Sequence, residues 1–143
     1  LTGQPTNGAR TLELRGARVK LEHILDGSYR GSARFELPFD GRLEALLESR
    51  SLWHRLTHWG PGRWPATLAA YRIQSSTEEA VLAFVRFRGV SDLLAELAGL
   101  GAPRIELRPK VLELSLRGGH PASFERIARL LFARYEAFSK STG

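Results

Sequence analysis

The chain has 143 residues, of which 43% are hydrophobic and 25% are charged, and these proportions are typical of one globular domain rather than a disordered chain. No run approaches the roughly 18 apolar residues that are needed to cross a bilayer. The absence of cysteine excludes disulfides, thiolate metal sites and thiol nucleophiles.

The net charge of +6 favours an anionic partner. The positive residues are nearly all arginines, and they alternate with acids, as in Arg42-Leu43-Glu44 and Arg104-Ile105-Glu106. Charge patterns of this kind are typical of a solvated, mixed-charge surface. We therefore favour a solvated, mixed-charge surface, and a dedicated site for a polyanion is the alternative interpretation of the net charge.

The chain contains no methionine and starts with Leu1. Because translation begins with methionine, we expect a processed product or a domain cut from a longer chain. We therefore treat residues 1–143 as a single domain of a larger protein, whose missing N-terminal part can carry an anchor or a targeting segment.

The first third of the chain alternates apolar and polar residues, which predicts antiparallel strands with one buried face. The alternation runs through residues 12–14 and 19–24, and it returns in residues 29–37. Asp26-Gly27 predicts a tight hairpin turn in which both residues adopt positive φ. Pro38 ends central pairing because it has no N–H group to donate. Together these signals predict a meander of two or three strands.

The middle of the chain is less regular. Residues 42–48 fit either a strand or a helical turn, and we favour the strand, whose inner face would consist of Leu43, Ala45 and Leu47. Residues 51–65 contain three tryptophans, two histidines and the turn sequence Gly60-Pro61-Gly62, which indicates an irregular excursion. Residues 71–74 then resemble another strand.

Two short helices are predicted next. Ser75 stands three residues before Glu78, a spacing that allows a capping box at a helix start. A helix over residues 77–87 follows, with one of two sets facing inward: Ala80, Phe84 and Phe87, or Val81 and Val85. We expect Ser91 to cap a second helix that runs through Leu97 and is closed by Gly99 and Gly101.

A hairpin and a long helix complete the chain. Residues 105–107 and 111–116 alternate on either side of residues 108–110, which predicts two paired strands. In the predicted helix over 122–139, apolar residues recur at spacings of three and four: Phe124, Ile127, Leu131, Tyr135 and Phe138. The order of elements predicts the α+β class, with a largely antiparallel sheet packed by two or three helices, including the long amphipathic C-terminal one.

Several segments resemble the soluble domain of uncharacterised bacterial proteins with transmembrane helices near their N-terminus, a domain of unknown function. They are Leu1-Thr2-Gly3 with Arg15-Gly16-Ala17-Arg18-Val19, Tyr71-Arg72-Ile73-Gln74-Ser75, Leu93-Leu94-Ala95-Glu96-Leu97 and Val111-Leu112-Glu113-Leu114-Ser115-Leu116. The resemblance implies a membrane-anchored parent chain and no known activity. We favour the cytoplasmic side for the domain. The tryptophan-rich segment departs from the family, which has a short turn with Gly, Asp and Phe there.

The densest group of chemically distinctive side chains is found in residues 53–64: Trp53, His54, Arg55, His58, Trp59, Arg63 and Trp64. Tryptophan and arginine dominate binding hot spots, so this segment is a predicted contact surface. The alternative is that the tryptophans fill the core. His54 and His58 would share a helix face, but a zinc site needs further ligands, and position 55 is a cation. We therefore predict no metal.

A second candidate surface is basic and centres on the last helix. It consists of Arg117, Arg126, Arg129 and Arg134, diluted by Glu125 and Glu136. Such a surface would bind a polyanion, either nucleic acid or anionic lipid headgroups.

Catalytic signals are weak. There is no G-x-S-x-G sequence, and Gly118-Gly119 lacks the other residues of a phosphate-binding loop. We expect a non-catalytic interaction module without a cofactor, whose partner is another protein and whose parent chain is membrane-anchored. A polyanion-binding domain is the alternative, and an enzyme is third.

Overall fold

The computed structural model describes residues 8–50 and 64–142. The strands in these ranges are β1 Gly8–Leu14, β2 Ala17–Asp26, β3 Ser28–Glu36, β4 Ala45–Ser49, β5 Tyr71–Ser75, β6 Ala102–Arg108 and β7 Val111–Arg117. They form one sheet in the order β1-β2-β3-β7-β6-β4-β5, and every neighbouring pair is antiparallel. The late hairpin β6–β7 therefore lies in the middle of the sheet, beside the N-terminal meander.

Three helices accompany the sheet in the described ranges: α1 Glu78–Val85, α2 Val90–Leu100 and α3 Pro121–Thr142. A short 3-10 turn, Ala66–Leu68, precedes β5. This architecture confirms the predicted α+β class and the long C-terminal helix. No helix among the described residues combines the length and the apolarity that crossing a bilayer requires.

The core lies between the helices and one face of the sheet. Alternate residues of β7, namely Leu112, Leu114 and Leu116, are buried, and so is the predicted stripe of α3. Phe35 of β3 stacks on Phe132 of α3 with ring centroids 4.8 Å apart. Burying each such side chain stabilises the fold by roughly 1.5–3 kcal/mol, so the apolar stripe holds α3 on the sheet.

The two hairpin turns of the meander differ from the prediction. Arg15 and Gly16 both have positive φ, 51° and 86°, and form a two-residue turn between β1 and β2. At Asp26-Gly27 only Gly27 has positive φ, and Asp26 pairs with Ser28. The predicted position of the second turn is correct. Its predicted geometry is wrong, and the geometry with two positive φ angles occurs at the first turn instead.

Both predicted helix caps are also wrong. The Ser75 hydroxyl accepts a hydrogen bond from the Thr77 N–H (2.9 Å), while the Thr77 hydroxyl accepts one from the Glu44 N–H (2.9 Å). These groups tie the start of α1 to the residue before β4, and Thr77 makes no capping hydrogen bond to α1 itself. The helix α2 begins directly after Gly89, whose φ is 79°, so Ser91 lies inside the helix.

The strand interpretation of residues 42–48 is confirmed, since Ala45–Ser49 forms β4 and pairs with both β5 and β6. Its predicted inner residues are buried: Leu43, Ala45 and Leu47. The predicted irregular excursion over 51–65 lies almost entirely outside the described residues.

Candidate functional site

The tryptophan-rich segment can be placed only at its end. Residues Trp53, His54, Arg55, His58, Trp59 and Arg63 lie outside the described residues. Trp64 is partly buried and packs against the hydrophobic core. A contact role for residues 53–63 stays a prediction.

The structure divides the predicted basic surface between two sides of the molecule. On α3, Arg126 donates a hydrogen bond to Glu96, and Arg129 donates one to Glu125 at 2.8 Å. Arg117 ends β7, next to the buried Leu116, and its side chain therefore points to the other side of the sheet. Arg117 is therefore separated from the arginines of α3. Arg134, the third of the predicted helix arginines, is exposed.

The side of the sheet opposite the helices, which we name the open face, is formed by the alternate residues that do not enter the core. Charged side chains of both signs cover it. They include Arg18, Lys20, Glu22, Arg30, Arg34, Glu36, Arg104, Glu106, Arg108, Glu113 and Arg117. Sequence alternation assigns these residues to one face, but their neighbours across the strands follow only from the strand order.

Part of this face is electrostatically compensated. Glu106 and Glu113 lie directly opposite each other on β6 and β7. Arg108 contacts both, with 2.9 Å from its Nε to Glu106 and 3.4 Å from its Nη2 to Glu113. Arg34 adds a longer contact of 3.7 Å to Glu113. The two acids are therefore held by surrounding cations.

Two pairs of like positive charges also lie directly opposite each other on the open face. Lys20 of β2 is opposite Arg34 of β3, and Arg30 of β3 is opposite Arg117 of β7. Arg34 has the contact with Glu113, whereas Lys20, Arg30 and Arg117 form no ion pair with any described residue. Like charges in this arrangement repel and weaken a sheet.

Each basic pair borders a shallow groove. The Lys20–Arg34 pair lies in a groove of about 630 Å³ that Thr11, Arg18 and Glu36 complete. The Arg30–Arg117 pair lies in one of about 300 Å³, whose other polar side chains are Arg104, Glu48, Ser49 and Ser115. Both grooves offer more positive than negative charge, and both open directly to solvent.

A third polar cluster lies on the helix side, where His23 bridges Tyr29 and Glu125. The Nδ1 atom of His23 is 2.6 Å from the Tyr29 hydroxyl, and its Nε2 atom is 3.7 Å from Glu125. Burial, with the charge of Glu125 second, raises the pKa of Tyr29 to about 12. Tyr29 is 4% exposed and stays protonated at neutral pH, so it is neither accessible nor activated as a nucleophile. The cluster instead ties β2 and β3 to α3.

Among residues 8–50 and 64–142, no group of three histidine, aspartate or glutamate side chains is placed to hold a metal ion. The fold and the open face define this chain as an α+β domain in which the described strands form an antiparallel sheet, covered by helices on one side and charged on the other. Comparisons with known protein families, with curated proteins and with solved structures found no match.

Proposed function

We propose that this domain is a non-catalytic binding module that contacts another protein through the open face of its sheet. The observation that carries the proposal is the pair of like-charged cross-strand contacts, Lys20–Arg34 and Arg30–Arg117. The acids Glu106 and Glu113 on the same face have arginines to neutralise them. An anionic group of a partner would do the same for the two basic pairs.

Energetics support this interpretation. Like charges directly opposite each other on two strands destabilise a sheet, whereas an opposite-charge pair in the same position stabilises it by roughly 0.2–1 kcal/mol. The domain alone bears this cost at the Arg30–Arg117 pair, whereas the contact of Arg34 with Glu113 offsets part of it at the Lys20–Arg34 pair. An anionic group of a partner between the members of a pair removes the repulsion and gains charge-assisted hydrogen bonds, which are stronger than neutral ones. The arrangement therefore favours the complex over the free domain.

The pattern of charges favours a protein over a continuous polyanion. Glu22 and Glu36 are interspersed among the cations of the open face and would repel successive phosphates of a polyanion. The described part of this face also carries no aromatic side chain on which a base could stack. A protein surface can present both signs of charge in a complementary order, which also steers association.

We also propose that the parent chain is a bacterial protein anchored in a membrane through a segment N-terminal to this domain. The support for this is the sequence resemblance in residues 15–19, 71–75, 93–97 and 111–116. Expression of the full-length gene followed by separation of membranes from soluble protein tests it. Recovery of the full-length protein in the soluble fraction would contradict it.

The contact surface can be tested by NMR titration of the isotope-labelled domain with a synthetic polyglutamate peptide. We expect amide shifts in β2, β3 and β7 that saturate and that weaken as salt is added. The double variant Lys20→Gln/Arg30→Gln should lose most of this binding. Arg126→Gln/Arg129→Gln, which neutralises the same number of cations on the helix side, is the matched control and should retain it.

Two outcomes would contradict the proposal. Shifts confined to α3 would assign binding to the helix arginines, and shifts confined to the tryptophan indole N–H signals would assign it to residues 53–64. A double-stranded oligonucleotide serves as the probe for the alternative function. If it binds more tightly than the peptide, with an affinity that falls steeply with salt concentration, polyanion binding replaces protein binding.

A further inference from the structure

The hydrogen-bond pattern of the sheet brings the backbones of Arg30 and Arg117 close together. The N–H of Gly118 donates to the carbonyl of Tyr29 at 2.8 Å, one residue outside the pair on each strand. This pattern makes Arg30 and Arg117 a non-hydrogen-bonded pair, the type in which Cα atoms approach to about 4.5 Å and side chains are closest. The side chains of Arg30 and Arg117 therefore project from neighbouring positions on the same face of the sheet.

The backbone below the pair is firmly held. Tyr29 and Leu116, the neighbours of Arg30 and Arg117 in sequence, are 4% and 2% exposed on the helix side. The β3–β7 ladder extends over seven residue pairs, from Arg30–Arg117 to Glu36–Val111. A site on such strands keeps its geometry without a ligand, which lowers the entropic cost of binding.

Hydroxyl groups stand beside the arginines. Ser115 is two residues before Arg117 on the same face of β7, and Ser32 lies directly opposite Ser115 on β3. Neither serine makes a side-chain hydrogen bond to the described part of the chain. Arg104 lies opposite Ser115 on β6, where it contacts Glu48 at 3.8 Å and Glu106 at 3.6 Å. The donors that can bind a ligand are thus the guanidinium groups of Arg30 and Arg117 and the hydroxyls of the two serines.

This donor set fits a tetrahedral oxyanion better than a carboxylate. A guanidinium presents a planar fork that binds two oxygens side by side, so one carboxylate satisfies one arginine. A phosphate monoester has three strongly accepting oxygens and a charge of about −1.5 to −2 at neutral pH. Its oxygens can reach both forks and a hydroxyl from different directions, and its charge balances the two arginines.

We infer that the groove beside β3 and β7 is a binding site for one phosphate-class oxyanion, held by Arg30, Arg117 and the hydroxyl of Ser115. The inference rests on the proposed function and deepens it, because it names the anionic group that the open face recognises. Free phosphate and a phosphorylated side chain of a partner protein share this chemistry. Glu48 stands at the groove and is neutralised by Arg104.

The direct test is NMR titration of the domain with inorganic phosphate at constant ionic strength, with chloride as the reference anion. We expect saturable shifts at residues 30–32 and 115–117. Arg117→Gln should weaken phosphate binding at least tenfold, since it removes a charge-assisted fork, and Ser115→Ala should weaken it several-fold. Arg129→Gln, which neutralises an exposed arginine on the helix side, is the matched control and should leave phosphate binding unchanged.

Arg117→Gln removes a repulsion and shortens no buried side chain, so a loss of phosphate binding in this variant does not result from misfolding. Equal shifts with chloride, or an equal loss in Arg129→Gln and Arg117→Gln, would overturn the inference. A phosphoserine peptide identifies the source of the group. Tighter binding of that peptide than of both its unphosphorylated form and free phosphate supports a phosphorylated partner, whereas binding equal to that of free phosphate supports the free ion.

The inference and the proposed function can fail separately. If phosphate does not bind while the polyglutamate peptide still shifts β2, β3 and β7, the ligand class is wrong and the binding face stands. If neither probe binds, the open face is a solvated surface and both proposals fall.

Discussion

Gly31 determines how closely α3 can approach the sheet. A β-carbon at this position would lie 2.8 Å from Cδ2 of Phe124 and closer still to the hydroxyl of Tyr29. Neither ring has room to move, because both are buried. We expect Gly31→Ala to lower the free energy of unfolding by about 1–3 kcal/mol, the usual cost of overpacking. Urea denaturation followed by circular dichroism measures the change.

Gly99 provides the matched control for that substitution. It lies within α2, and a β-carbon there would meet no atom within 4 Å. Gly99→Ala should therefore stabilise the domain by about 0.4–1 kcal/mol, because alanine restricts the unfolded chain more than glycine does. Equal effects of the two substitutions would show that Gly31 is not a steric constraint.

The buried tyrosines predict how stability depends on alkaline pH. Burial raises the pKa of Tyr135 to about 12, although the backbone of Leu43 opposes the rise, and it raises the pKa of Tyr29 to about 12 and that of Tyr71 further. Unfolded tyrosine ionises near pH 10. Between about pH 10 and 12 the unfolded chain loses protons that the folded domain keeps, so stability falls as pH rises through this range.

Denaturation midpoints measured from pH 8 upward check this expectation. The midpoint should be insensitive to tyrosine ionisation below about pH 10 and should decline above it. Tyr135→Phe retains the ring and removes the ionisable group, so its decline should be shallower than that of the unaltered domain. An identical decline in the variant would assign the pH dependence to other groups.

Secondary structure could be predicted from the sequence, because burying one side of a strand or helix produces a periodic pattern of apolar residues along the chain. The period-two alternation of β2, β3 and β7 and the stripe of α3 each follow from packing on one face. The helix caps were not predictable, since the hydroxyls of Ser75 and Thr77 bind near Glu44, more than thirty residues away. Local spacing cannot reveal a competing partner that only the fold brings near.

The basic pairs of the open face could not be predicted from the sequence for a related reason. Lys20 and Arg34 belong to consecutive strands, and their pairing follows from the register of one hairpin. Arg30 and Arg117 meet only because β7 inserts beside β3, a neighbour it does not have in sequence. Arg117 was a predicted site residue, but the sequence grouped it with arginines of α3, which the fold places on the other side.

The helix α3 is held on the sheet by its inner face, and substitutions at two positions two residues apart distinguish core packing from helix propensity. Phe132 is fully buried and stacks on Phe35, whereas Leu130 in the same helix is 38% exposed. Phe132→Ala should cost about 3–5 kcal/mol, because it leaves a cavity in the core. Leu130→Ala should cost well under half as much, since little apolar surface is lost there.

Guanidinium chloride unfolding of both variants measures this difference. The slope of unfolding free energy against denaturant concentration should stay constant, because the surface exposed on unfolding hardly changes. If the two substitutions cost the same, α3 is stabilised by its own helical propensity rather than by the sheet, and the amphipathic assignment is wrong.

At the scale of the whole molecule, the helix side provides stability while the open face carries a destabilising charge arrangement. Proteins commonly retain such features where binding requires them, and removing them then stabilises the fold at the expense of function. The Arg30–Arg117 pair should show this relationship. Its repulsion is confined to one cross-strand contact, so a single charge reversal converts it into an attraction.

We therefore expect Arg117→Glu to stabilise the domain by about 0.2–1 kcal/mol and to abolish anion binding in the same groove. The gain should shrink as salt is added, because exposed charges are screened. Arg108→Glu is the opposite control: Arg108 contacts Glu106 and Glu113, so its reversal should destabilise the domain. Thermal unfolding at low and high salt measures both. If Arg117→Glu destabilises the domain at low salt, the pair is not repulsive, and the observation that carries the binding function is lost.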